Sequence, residues 1–275
     1  MILPKKNNKT QVSPTVSFAQ QEFLRNYYAK QRKIRTCQFI IFFGFIGLWE
    51  LCTRAKLLNP FIFSSPSRFI TCFIDMAKDG TIFYHIGVTL AETFISFFLV
   101  IAIGLIVAVI LWWNNSIAKV LEPYLVILNS LPKTALAPVF IVWLGNNMKT
   151  IIVAAVSVAV FGTIITLYTD FVTVEEDKIK LITTLGGTKK DVLFKVVLPG
   201  NLPSIISVMK VNIGLSLVGV IIGEFLASKA GLGYLIIYGS QVFKLDWVIM
   251  SVVLLCIMAT ALYKLLTFIE KRVQR

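Results

Sequence analysis

Residues with reactive side chains are sparse in this chain, and they do not cluster. There is one histidine, His85, which by itself builds no histidine-rich metal site. Cys37, Cys52, Cys72 and Cys256 form no Cys-x-x-Cys pair and have no metal-ligand spacing. They read as inert thiols, buried or facing lipid. Gly186-Gly187-Thr188-Lys189 echoes a phosphate loop, but no second glycine stands before a Lys-Ser/Thr pair. No metal, no cofactor and no catalytic residue is therefore expected, and any ATP must be handled by another subunit.

The polar pattern that remains suits a pathway better than a reaction. Asn212, Ser216, Gly219 and Gly223 recur at i, i+4, i+7 and i+11, one narrow face of a helix. Such a face lines a pathway or lets helices approach closely. The GxxxG spacing of Gly219 and Gly223 favours close approach. Lys210 and Glu224 bracket the face. A charge deep in a span costs about 2.5–3.5 kcal/mol, so Lys210 is expected to snorkel to the nearer boundary. Glu224 falls near the outer end, within reach of water, as a gate, a packing group or a substrate contact. Pro132 and Pro138 interrupt another apolar stretch and free carbonyls that need partners inside protein. That stretch is expected to face the centre. Lys133, beside Pro132, reads as a span-end lysine, with an anion contact as the alternative.

These residues sit on long apolar elements. Of the 275 residues 57% are hydrophobic, and the mean hydropathy is +0.80. Soluble domains are roughly 45–50% apolar, so lipid is the economical solvent. An all-α polytopic membrane protein with about six transmembrane helices is expected. The spans fall near 37–53, 93–113, 121–144, 150–169, 204–223 and 247–268. No acidic pair falls within these limits. Residues 1–36 read as a cytoplasmic tail, polar and disordered over 1–16. A basic amphipathic helix carrying Phe18, Phe23, Leu24, Tyr27 and Tyr28 follows, lying on the membrane surface. Residues 37–275 form the membrane domain. The tail is too polar for a cleavable signal peptide, so the first span is expected to be retained.

The net charge of +13 would suit nucleic acid, but the basic residues flank spans, so no nucleic-acid partner is expected. Eight of them (Lys5, Lys6, Lys9, Arg25, Lys30, Arg32, Lys33 and Arg35) precede the first span. With six spans the cytoplasmic side collects 18 and the outer side 7. Both termini are therefore expected in the cytoplasm of a cell-membrane protein.

The loop after the fourth span, about 171–203, is the most informative segment. It divides into two short amphipathic pieces at Gly186-Gly187. Ile179, Leu181, Ile182 and Leu185 share an apolar side of the first piece. The second opens with Thr188 and Asp191 three residues on, a helix-start signature. It carries Val192, Leu193, Val196 and Val197 on its apolar side, and Pro199 and Pro203 end it. A pair of this kind docks on a partner or packs on its own protein's cytoplasmic ends, and the residues alone do not choose.

The loop resembles the EAA loop of the permease subunits of binding-protein-dependent ABC importers. Gly186, Val196, Leu198 and Pro199 match its register, while Lys180-Leu181-Ile182 stand where Glu-Ala-Ala is usual. The resemblance continues through Phe63-Ser64-Ser65-Pro66-Ser67, then His85, Thr89 and Gly104. Leu131-Pro132, Ala135-Leu136-Ala137-Pro138, Trp143 and Gly145 extend it. Gly223-Glu224-Phe225-Leu226 and Ala230-Gly231-Leu232-Gly233-Tyr234-Leu235-Ile236 complete it. Glu92 departs, standing where arginine is usual. The pattern is most similar to the nitrate/sulfonate/taurine type.

The resemblance implies a type I ABC importer permease fold. Two permease chains, as a homodimer, would line a pore. Two cytoplasmic ABC ATPase subunits would use ATP and magnesium, and an extracellular or periplasmic solute-binding protein would deliver substrate. Lys180, Leu181, Leu185, Gly186, Gly187, Asp191, Val192, Phe194 and Pro199 would form the ATPase-coupling loop. Pro132, Pro138, Asn212, Ser216, Gly219 and Glu224 are the candidate pathway residues. The substrate would be a small anion or organic solute: a sulfonate, taurine, nitrate or a thiamine-precursor-like pyrimidine. The alternatives are an ion-coupled secondary transporter, a membrane-embedded enzyme or a scaffold subunit with no pathway. The first needs deep ionisable residues, of which Lys210 stands nearly alone. The second needs clustered acidic, His or Cys groups.

Overall fold

The computed structural model describes the backbone of residues 18–273 and the side chains of residues 22–272. The polar stretch 1–16, the Phe18 side chain and Arg275 lie outside the described residues. Contacts divide the chain into two compact units, one up to Pro66 and one from Ser67 onward.

The first unit is a long helix, α1 (Phe18–Arg54), followed by the single turn α2 (Pro60–Phe63). The expected surface helix is continuous with the first span, and the expected 36/37 boundary falls inside α1. Nothing breaks the run: no proline or glycine occurs between Phe18 and Phe43. Phe39, Ile41, Phe45 and Leu48 on its apolar half are exposed, as a lipid-facing helix requires.

The second unit is a helical bundle. It opens with α3 (Pro66–Lys78) and α4 (Thr81–Trp113), then α5 (Asn115–Ser130), α6 (Lys133–Leu144) and α7 (Met148–Val172). A short-helix segment follows: α8 (Glu176–Thr184), α9 (Lys189–Val192), a π-helical turn (Leu193–Val197) and α10 (Leu198–Gly200). The chain closes with α11 (Leu202–Ala227), α12 (Leu232–Gln241) and α13 (Leu245–Val273). Among the described residues five helices are long and apolar enough to cross a membrane, or six if α5 and α6 make one span.

Helix α7 is the hub, with its most extensive packing against α4 and α11. Small residues permit the approach. A Cβ on Gly104 would lie 2.6 Å from Thr163 Cγ2, one on Gly219 2.6 Å from Ala155 Cα, and one on Gly223 2.9 Å from Ile151 Cα. The Gly219/Gly223 face therefore meets the α7 backbone, the close-packing use of such a stripe. Asparagine side chains start two helices. Asn114 accepts from Ser116 N and Ile117 N at α5, and Asn147 from Lys149 N and Thr150 N at α7.

Three sequence expectations change. The third span is two helices bent by 95° rather than one interrupted run. Pro132 supplies no N–H and holds Leu131 extended (φ −62°, ψ 140°), so the break falls there, while Pro138 is accommodated inside α6. Lys210 does not snorkel. Its ammonium meets Glu270 Oε1 of α13 at 2.8 Å, with the side chains only 18% and 17% exposed. Finally, α4 begins at Thr81 instead of near residue 93, and this brings Glu92 inside a membrane-length helix.

Candidate functional site

Three places in the second unit concentrate polar or unpartnered groups: the α8–α10 elbow, a cavity between α5, α7 and α11, and the turn before α12.

The elbow is locally determined. Gly186 takes φ +82°, a conformation that side chains resist. A Cβ on Gly187 would lie 2.8 Å from the Ile182 carbonyl oxygen, so the two pieces meet through glycine. Thr188 and Asp191 form a full capping box at the start of α9. Asp191 Oδ2 accepts from Thr188 N at 2.9 Å and from Thr188 Oγ1 at 2.7 Å, and Lys195 lies 2.8 Å from Asp191 Oδ1. The Lys195 hydrogen bond, then those from Thr188, hold the Asp191 carboxyl far below the usual aspartate range. Lys189 donates to the Trp113 carbonyl at 2.6 Å and lies over the Trp112 and Trp113 rings, fastening the elbow to the end of α4.

The two sides of the elbow differ. Val192, Leu193 and Val197 are buried against Ala108, Leu167 and Phe171 of α4 and α7, with Ile179 and Ile182 packed beside them. Leu181, Leu185 and Phe194 point away and are 59%, 76% and 58% exposed. The expected apolar side of the first piece is thus split, with Ile179 and Ile182 inward and Leu181 and Leu185 outward. Val192 belongs to the protein's own core. Lys180 pairs with Glu176 on its own helix at 3.2 Å, and Pro199 is exposed in α10.

A cavity of about 460 Å³ opens between α5, α7 and α11. Its hydrogen-bonding walls are Asn129, Thr163, Thr166, Asp170, Ser204, Ser207 and Asn212. Asp170 accepts a hydrogen bond from Ser204, which joins the end of α7 to the start of α11. Of the sequence-derived pathway residues only Asn212 lines this space. Ser216 is fully buried one turn away and its hydroxyl has no hydrogen-bond partner among the described residues. Gly219 packs on α7, and Pro132 and Pro138 lie on the broken α5–α6 pair. Lys133 hydrogen-bonds the Asn129 carbonyl across that break. Sequence reading missed Asn129, Thr163, Thr166, Asp170, Ser204 and Ser207, because single polar residues on three separate helices carry no local signature. A larger concavity of about 620 Å³ lies at the helix ends between α3 and α13, crossed by the Arg68–Asp246 ion pair. It does not enter the bundle.

The α12 turn corrects two more expectations. Glu224 is 1% exposed rather than hydrated, and it neighbours Glu92, which is 2% exposed and whose Oε2 has no hydrogen-bond partner among the described residues. An acidic pair therefore does lie within the membrane-length helices. It came within range once α4 proved longer than its apolar run. Thr89 Oγ1 donates to Glu224 Oε1 at 2.6 Å and accepts from Leu232 N at 2.8 Å. Gly233 N donates to Glu224 Oε2 at 2.5 Å, and Gly231 N donates to His85 Nδ1 at 3.0 Å. Both glycines crowd the Glu224 carboxyl: a Cβ on Gly231 would lie 2.2 Å from Oε1, and one on Gly233 2.7 Å from Oε2. Glu224 is thus locked into the packing of α4, α11 and α12, and neither member of the pair lines the cavity.

Comparisons with known proteins fit this anatomy. The family described as binding-protein-dependent transport system inner membrane component matches residues 100–275. The formylaminopyrimidine transport permease ThiX of Halalkalibacterium halodurans is 27% identical over 195 residues, 71% of this chain and 77% of its own length. The taurine transport system permease TauC of Escherichia coli is 21% identical over 233 residues, 82% of this chain and 84% of its own. Among solved structures, the MetNI methionine ABC transporter in an inward-facing conformation superposes with a TM-score of 0.60 at 21% identity. It covers 72% of this chain and 96% of that one, a likeness of fold.

Proposed function

Since the chain belongs to the family of binding-protein-dependent transport system inner membrane components, and so is a non-enzymatic, multi-pass permease subunit of an ABC importer, we propose that its α8–α10 elbow is the handle of a cytoplasmic ATPase and that the α5–α7–α11 cavity is its share of the substrate pathway. Both termini then face the cytoplasm, as the distribution of basic residues favours. Two copies of the chain pair as a homodimer, two ATPase subunits supply ATP and magnesium chemistry, and an external binding protein delivers solute. The solute is a small anion or organic molecule, a sulfonate, taurine, nitrate or a thiamine-precursor-like pyrimidine; sulfonates, taurine and formylaminopyrimidine are named for relatives.

The observation that supports the handle is the two-sidedness of the elbow. One side is fastened into the bundle through Val192, Leu193, Val197 and Lys189, and the other offers Leu181, Leu185 and Phe194 to a partner. Burying a large apolar side chain stabilises by about 1.5–3 kcal/mol, so three give a firm grip. A pore swung from 1:99 to 99:1 needs about 5.5 kcal/mol of differential drive. A segment rooted in the bundle transmits such a drive, whereas a loose loop gives way.

The test is co-purification of the ATPase with the full-length chain from native membranes. Leu185→Asp and Phe194→Asp are expected to abolish it while leaving the permease inserted at wild-type levels. Gly186→Pro, which denies the positive φ, is expected to uncouple ATP turnover from uptake in reconstituted vesicles. Wild-type association and transport in all three would refute the handle.

An ion-coupled carrier is the second reading with a specific observation behind it, the buried Glu92–Glu224 pair. The pair lies apart from the cavity, and its Glu224 member is engaged by Thr89 and Gly233 while Glu92 Oε2 has no partner among the described residues. ATP-independent uptake in vesicles holding this chain alone would restore that reading.

A further inference from the structure

The chemistry of the cavity wall narrows the solute, on the reading that the α5–α7–α11 space is the pathway. Thr163, Thr166, Ser207 and Asn212 offer neutral hydroxyl and amide groups, and the only ionisable group among the lining residues is the Asp170 carboxylate. Among the described residues no lysine, arginine or histidine lines it. Of the two basic residues closest in sequence to its walls, Lys210 is paired with Glu270, whereas Lys133 stands outside the lining and donates to the carbonyl of the wall residue Asn129. Ser204 already donates to Asp170, but a hydrogen bond leaves the net charge of the carboxylate in place.

In a cleft with low-dielectric walls one fixed charge sets the sign of the local field. At 8 Å and an effective dielectric near 20, one unit charge biases the local concentration of another by about thirtyfold. A sulfonate or nitrate entering this space meets neutral donors, a repelling carboxylate and no cation among the lining side chains. An amine or a hydrogen-bonding heterocycle meets acceptors, donors and a favourable field.

We propose that the solute passed through this cavity is an uncharged or cationic hydrogen-bonding molecule and not an anion. The relatives' printed substrates lie on both sides of this line, formylaminopyrimidine uncharged and aliphatic sulfonates anionic, so family membership does not choose between them. The choice comes from the side chains of this chain.

The test uses the reconstituted importer with its ATPase and binding protein, with Cys37, Cys52, Cys72 and Cys256 replaced by serine. Ser207→Cys, with Thr166→Cys as a second position, is exposed to two methanethiosulfonates of similar size. One carries a trimethylammonium group and the other a sulfonate. Each rate is divided by that reagent's rate with 2-mercaptoethanol. The cationic reagent is expected to be faster by about tenfold or more, and Asp170→Asn is expected to bring the ratio toward one. An anionic reagent that reacts as fast or faster overturns the proposal. So does ATP-driven uptake of an aliphatic sulfonate or nitrate, even where the cavity labels as expected. If neither reagent reaches either cysteine in any nucleotide state, the pathway reading itself fails and this inference falls with it.

Discussion

The α8–α10 elbow and the α12 turn solve opposite problems with opposite materials. The elbow is built from neighbours in sequence: a positive-φ glycine, a capping box and an Asp191–Lys195 pair four residues apart. It turns Leu181, Leu185 and Phe194 outward. The α12 turn is built from distant residues, with Thr89 and Glu224 separated by 135 positions, and its polar groups point inward at one another. A segment that must be gripped by another subunit has to hold its shape without that subunit, so short-range interactions define it. A segment that closes the protein on itself is free to draw on the whole bundle.

This contrast is broken most forcefully on the inner side of the elbow. Val192→Asp places an unpaired charge among Ala108, Leu167 and Phe171 and is expected to cost about 3–5 kcal/mol, read as loss of the protein from membranes. Leu185→Asp, seven residues away on the open side, is expected to change stability by less than about 0.5 kcal/mol while ending ATPase association. Equal stability losses would mean that the elbow has no free face.

At the α12 turn the largest expected effect is that of Gly231→Ala. Gly231 has φ +107°, and the new methyl would collide with the Glu224 carboxyl. Strain and displacement together are expected to cost about 2–4 kcal/mol in thermal unfolding of the detergent-purified complex. Thr89→Val keeps the shape but orphans Glu224 Oε1 and Leu232 N, for about 1–3 kcal/mol, whereas Thr89→Ser is expected to recover most of that. If Thr89→Val is silent, the turn is held by packing alone and the contrast with the elbow weakens.

The same contrast explains what could be read from the sequence. The apolar runs, an interruption at Pro132 and the elbow with its capping box follow from local rules of hydropathy, proline geometry and helix starts, whereas the 95° bend there, and the absence of a second break at Pro138, do not. The Gly219/Gly223 face was legible as one of two alternatives, and Ala155 and Ile151 supply the close approach. Lys210 was misread because its partner, Glu270, is 60 residues away on α13. Glu92 was placed outside the second span because hydropathy locates the apolar run of a helix, while α4 extends three turns before it. The cavity wall was the least legible feature. Thr163, Thr166 and Asp170 share one side of α7 with Ser207 and Asn212 of α11 only after the helices pack, and none is unusual where it stands.

The finest test lies within the elbow, where local self-sufficiency predicts a particular response to acid. The Lys195 hydrogen bond, followed by the two from Thr188, depresses the folded-state value of the Asp191 carboxyl below its unfolded value of 3.8. A depressed carboxylate contributes stability that is fully present above the unfolded value and is lost as pH falls through the folded one. The cap is therefore expected to persist near pH 4, where an ordinary aspartate is already partly protonated. Hydrogen exchange of the Lys189–Val192 amides, corrected for intrinsic rates, reads this out. Lys195→Met is expected to bring the onset of opening back toward the ordinary aspartate range. Thr188→Ala is expected to shift it less and to loosen the turn by about 1 kcal/mol at neutral pH. A wild-type elbow that opens at the same pH as Lys195→Met would show that the bundle, and not the local pair, holds its shape. The elbow would then stand on the same footing as the α12 turn.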